Sequence, residues 1–141
     1  MKGDKIPDQD HIARYCKRTT VPDGQIQATA FMVRTGEESL SVNWLEFLKC
    51  SSRAQEITEL RKILARKLNI PTGTKIAVLT VGDVCKKILT ESSDRRNIEV
   101  LHDPMPSVDL SHSGIYNLKY DDEEIAELIL ETVNESYVAR L

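Results

Sequence analysis

Long apolar runs are missing from this chain. Its purely apolar stretches last only a few residues, far short of the ~20 that a membrane-crossing helix needs. Nothing after Met1 has the length of a signal-peptide apolar region, so a cytoplasmic protein is expected, with no membrane partner. Cysteine is scarce and badly spaced for chemistry: Cys16, Cys50 and Cys85 are odd in number and form no C-x-x-C pair. That excludes a disulfide framework and a zinc ribbon, and leaves small, semi-buried thiols as the expectation. Also absent are both phosphate-loop fingerprints, G-x-x-x-x-G-K-[ST] and G-x-G-x-x-G, so Gly82 carries no nucleotide motif. There is no H-E-x-x-H or H-x-H for a metal and no G-x-S-x-G nucleophile elbow. Internal repeats and low-complexity tracts are likewise missing. No recognised motif requires a cofactor.

What is present is an ordinary globular composition, 40% hydrophobic and 29% charged over 141 residues, long enough to bury one core. Charge is uneven. Residues 1–120 hold 18 Lys and Arg against 15 Asp and Glu, whereas residues 121–141 hold 1 against 7. The mildly basic body permits an anionic partner, a small molecule or nucleic acid, but a dedicated nucleic-acid binder would show a clearer excess.

The pattern predicts one α/β or α+β domain over residues 10–141 after a loose N-terminus, residues 1–9. Asp10–Cys16 reads as a short helical piece capped by Asp10. Val21-Pro-Asp-Gly24 is a turn. Alternation over Gln25–Arg34 and again over Leu40–Leu45, across a short Gly36-containing loop, predicts an N-terminal β-hairpin with Trp44 in the core. Ser52-Arg-Ala-Gln55 has capping-box spacing and opens a helix from Arg53 to Lys67 or Leu68, ended by Pro71 and Gly73. Its stripe is Ile57, Leu60, Ile63, Leu64 and Leu68, and its basic side reads as solvated. Lys75–Val81 should be a strand and Gly82–Asp83 the start of a short helix broken at Ser92–Asp94. Ile98–His102 is then a second strand, paired in parallel through a crossover. A last helix opens at Asp121-Asp-Glu-Glu with an apolar stripe of Ile125, Leu128, Ile129 and Val133. The expected whole is a mixed sheet of about four strands with two main helices.

For function, the histidines stand out, because imidazole exchanges protons near neutral pH. His102 and His112 bracket a proline-broken loop, and His11 lies in a polar segment. Brought together, His11, His102 and His112 would serve as acid and base in metal-independent phosphodiester or phosphoryl chemistry. Arg14, Lys17 and Arg18 would stabilise the anion, and Ser111 and Ser113 would add ligand contacts. A metal site from His102, Asp103, Asp109 and His112 is the rival chemical reading, and Asp103 and Asp109 are equally explained as turn residues, so no metal is assigned. Nucleophilic hydrolysis through Ser111, Ser113 or a Cys16–His11 pair has no supporting motif. The non-enzymatic alternative is an interaction module using the C-terminal helix, with a protein partner or a second copy of the chain.

Three phrases carry a resemblance: Asp10-His-Ile-Ala-Arg-Tyr-Cys16, Leu40-Ser-Val-Asn-Trp-Leu-Glu46, and Leu101-His-Asp-Pro104 with Ser111-His-Ser-Gly-Ile115. Together they resemble a family of small bacterial proteins of uncharacterised function. The resemblance implies a bacterial source and one compact unit. It brings no catalytic residue.

Overall fold

A computed structural model describes residues 3–141 of the chain. In chain order it contains β1 (His11–Cys16), β2 (Leu40–Trp44), α1 (Arg53–Lys67), β3 (Lys75–Thr80), α2 (Val81–Glu91), β4 (Glu99–His102), β5 (His112–Tyr116), α3 (Glu123–Glu131) and β6 (Glu135–Val138). The strands make one six-stranded sheet in the order β4-β5-β2-β1-β3-β6, antiparallel at every pairing. The fold is α+β.

Several expectations are corrected. The sheet has six antiparallel strands rather than about four in a mixed sheet, while the two main helices and the short one between them are all present as α1, α3 and α2. Asp10–Cys16 is not helical. So short a helix is marginal alone, whereas in the sheet interior β1 gains backbone partners on both edges and buries Ile12, Ala13 and Cys16. The N-terminal hairpin does not form either. Residues 25–34 fold into a 3-10 turn, Ala28–Phe31, and loop, and β2 pairs instead with β1 and β5. The alternation of Ile26, Ala28, Ala30 and Met32 misled because burial alternates only as far as Ala30 and breaks at Phe31. Ala30, Phe31 and Val33 are buried, and they belong to the same core cluster as α3. The parallel crossover is wrong as well, since β5, β2 and β1 stand between β4 and β3.

Local signals read correctly cluster at the helices. Ser52 Oγ accepts the Gln55 backbone N–H at 3.2 Å, while Gln55 Oε1 accepts from the Ser51 backbone N–H at 3.0 Å. The α1 stripe of Ile57, Leu60 and Leu64 packs on Ala13, Leu45, Ile76 and Val78. α3 starts two residues into its acidic run, where the carboxylates favour the positive end of the helix dipole. Of the segment expected to be loose, residues 1 and 2 lie outside the described residues. Gly3–Ile6 runs beside β4, where the Gly3 backbone N–H donates to His102 O and that of Ile6 to Val100 O, and the Ile6 side chain is buried.

The sheet's two faces are covered unequally. Cross-strand partners share a face, so Ile12, Val42, Trp44, Leu79, Ser113, Ile115, Val100 and His102 lie on one side. There α2, α3 and the Ala28–Phe31 turn close a large apolar core. The opposite side carries His11, Ala13, Ser41, Asn43 and His112. Only α1 covers it, over β1 and β3.

Candidate functional site

Beside α1 that second face opens into a cavity of about 1130 Å3. Its floor is polar, with Ser41 and Asn43 from β2 and His112 from β5. Leu64, Lys67 and Leu68 at the end of α1 form one wall, and Asp103 and Met105 contribute from the β4–β5 loop. Arg14, Lys17, Arg34 and Glu37 stand on the β1 side.

Arg14 reaches this space through a defect in the sheet. β1 and β2 pair only at Ile12–Trp44 and Ala13–Asn43, after which β2 pairs with β5 alone. The guanidinium enters the resulting gap. Its Nε donates to Ala30 O at 2.8 Å and its Nη1 to Ser41 O at 2.9 Å. Both acceptors are neutral carbonyls, and among the described residues no carboxylate makes an ion pair with it. Burial pushes its pKa down, partly offset by Cys16 and Glu37. Arginine nonetheless stays cationic at neutral pH.

A second group locks the cavity's far side. Asp109 is buried and holds Lys67 Nζ at 2.6 Å, while Asn43 Nδ2 donates to both its oxygens at 2.9 and 2.8 Å. Ser111 Oγ donates to Asp109 Oδ1 at 3.0 Å and accepts from Asn43 Nδ2 at 2.8 Å. Burial disfavours the Asp109 charge, but the Lys67 and Asn43 bonds outweigh it and hold the carboxyl below its ordinary pKa. Lys67 is therefore not on a solvated face, as expected of the basic side of α1. Its charge is spent on Asp109.

The three histidines are not brought together. His11 sits at the start of β1, where Glu46 accepts from its Nδ1 and its backbone N–H, each at 2.7 Å. His102 faces the closed side, its ring edge-on to Trp44 at a centroid distance of 5.2 Å and 4.8 Å from Phe47, with Nε2 donating to Leu110 O at 2.8 Å. Strand alternation separates it from its neighbour. His102 pairs with Ser113, whose side chain lies opposite to that of His112. Only His112 lines the cavity. Of the expected ligand contacts, Arg14 and Lys17 line it too, whereas Ser111 is spent on Asp109 and Ser113 is wholly buried, donating to Ser111 O. Arg18 bonds Thr72 O instead. Cys16 lies on the face away from His11, and burial raises its thiol to about 11, so no Cys–His pair exists. No group of three or more His, Cys, Asp or Glu suited to a metal ion occurs among the described residues.

Sequence reading missed Ser41 altogether. His112 Nδ1 lies 2.8 Å from the Asp103 carbonyl oxygen, which can only accept, so Nδ1 carries the proton. In the neutral ring Nε2 is then the acceptor, and it faces Ser41 Oγ at 3.2 Å. The Asp103 backbone N–H donates in return to His112 O at 2.9 Å, which fixes the two residues against each other. Ser41 is exposed and 71 residues away in sequence, so only the β2–β5 pairing could reveal it.

Comparison with family models, curated proteins and solved structures finds no match. No helix among the described residues is long and apolar enough to cross a membrane.

Proposed function

We propose that the cavity binds a small molecule through a carboxylate or phosphate group, with Arg14 as its anchor. The observation that carries this reading is a partly buried guanidinium lining the cavity and bonded only to neutral carbonyls. A buried charge with no direct ion pair is costly even with Glu37 nearby, and guanidinium presents donors in a planar fork suited to bidentate oxyanions. Lys17 and Arg34 add positive charge at the rim, while Lys67 contributes none because Asp109 neutralises it. Leu64, Met32 and Val33 supply an apolar wall for the rest of the ligand.

The histidines divide under this reading. His112 is the one that meets the ligand, and His11 and His102 hold structure. The apolar stripe of α3 is not offered to a partner, because Ile125, Leu128 and Ile129 are buried in the chain's own core.

Titration calorimetry with inorganic phosphate, phenyl phosphate and succinate tests the anchor. At least one should bind, and Arg14→Gln should weaken it tenfold or more while the variant still unfolds cooperatively. Absence of binding by all three, or binding unchanged in Arg14→Gln, overturns the reading.

A further inference from the structure

We infer that Ser41 is a nucleophile activated by His112, and that the cavity hydrolyses carboxylic esters bearing an anionic group. The nucleophile claim stands on its own geometry, and the anionic substrate class rests on the Arg14 reading above.

Three observations converge. Ser41 Oγ and His112 Nε2 lie 3.2 Å apart, within the reach a serine and its base require, and both line the cavity. The Asp103 carbonyl takes the Nδ1 proton at 2.8 Å, leaving the Nε2 lone pair toward the hydroxyl, which is the tautomer a base needs. The Asp103 carboxylate stands 3.9 Å from the same Nδ1 and takes a 3.4 Å hydrogen bond from the Tyr116 hydroxyl. It is placed to favour the imidazolium that forms when His112 accepts a proton. The three functions of a hydrolytic triad are thus filled by residues from β2, β5 and the β4–β5 loop. Arg14, bonded to the carbonyl of Ser41 itself, sets a cation beside the nucleophile's residue to hold the substrate's anionic group.

The chemistry balances with water as the only co-reactant. Ser41 Oγ attacks the ester carbonyl carbon as its proton passes to His112 Nε2. The Oγ–C bond forms, the bond from carbon to the alkoxide oxygen breaks, and His112 returns the proton to the departing alcohol. A water molecule, deprotonated by the same nitrogen, then attacks the acyl carbon. The Oγ–C bond breaks, Ser41 regains its proton and the acid leaves.

The test pairs labelling with turnover on the full chain. A fluorophosphonate probe should modify Ser41, located by peptide mass spectrometry, and the label should vanish in Ser41→Ala and fall at least tenfold in His112→Asn. Asparagine places its amide nitrogen where Nδ1 stood and keeps a donor for the Asp103 carbonyl but has no base, so loss of labelling in a variant that still unfolds cooperatively reports chemistry and not folding. Turnover is followed with anionic p-nitrophenyl hemisuccinate and neutral p-nitrophenyl acetate, the anionic ester being preferred at least tenfold in kcat/KM. No label on Ser41, or turnover equal in wild type and Ser41→Ala, overturns the nucleophile even if phosphate or succinate binds. Labelling of Ser41 with no preference between the esters overturns the anionic substrate class, whereas the Arg14 anchor stands or falls on the calorimetry alone.

Discussion

The two faces of the sheet follow different rules, and β5 shows both within two residues. Ser113 points to the side closed by α2 and α3, where it is wholly buried beside an apolar core. His112 points to the side that α1 covers only in part, where it lines an open cavity. On the closed face burial is nearly all apolar, and each fully buried isoleucine there contributes about 1.5–3 kcal/mol. On the open face α1 closes a smaller apolar cluster over β1 and β3, and the buried groups beside the cavity are polar and matched to partners: Asp109 to Lys67 and Asn43, His112 to Asp103. The difference separates what holds the molecule together from what is left available for chemistry.

The sharpest way to break this comparison is to truncate one residue on each side. Ile129→Ala on the closed side should cost about 2–5 kcal/mol by urea unfolding, through lost burial and the cavity left behind. Ser41→Ala on the open side should stay within about 0.5 kcal/mol of wild type. Similar losses for the two would mean the faces do not divide the labour.

Next in size is Lys67→Met, which leaves the Asp109 carboxylate without its cation. Breaking a fully buried pair costs about 3–5 kcal/mol. Here Asn43 and Ser111 still bond the carboxylate and Lys67 is partly exposed, so a loss of roughly 2 kcal/mol is expected. The same group sets a pH dependence. Asp109 has a lower pKa folded than unfolded, so its stabilisation is complete above the unfolded carboxyl value, about 3.9, and is lost as pH falls through the lower, folded value. Unfolding free energies measured from neutral pH down to about pH 2 should fall less steeply in Asp109→Asn than in wild type. Parallel curves would show that Asp109 is not held in its charged form.

The histidines sharpen the contrast at a smaller scale. His102→Ala removes a ring packed on Trp44 and Phe47 and leaves the Leu110 carbonyl without its donor, a cost of about 1–3 kcal/mol. His112→Asn, which keeps a donor for the Asp103 carbonyl, should cost under about 1 kcal/mol while removing the base. Smallest of all is Lys62→Ala, whose exposed pair with Glu59 should contribute about 0.5 kcal/mol or less by thermal unfolding.

Much of the helical architecture was legible in the chain. The Ser52–Gln55 cap, the Ile57–Leu60–Leu64 stripe and the acidic start of α3 are local signals, complete within one or two turns. Strands were less legible, because β1 draws its stability from two partners that arrive later in the chain, and six residues cannot announce that. The site was legible in pieces. Arg14, Lys17 and His112 stood out as residue types, but nothing local distinguished His112 from His102 or pointed to Ser41.

By itself the sequence determined which residues are apolar, where helices begin and end, and that the chain holds too few apolar runs for a membrane helix. Only the tertiary structure decided which side of a strand each histidine faces, since that depends on pairing register, and a one-residue step reverses it. It also decided that Arg14 fills a gap where β1 and β2 part and that Ser41 meets His112 across two strands. Such contacts join residues tens of positions apart, and only the completed sheet brings them together.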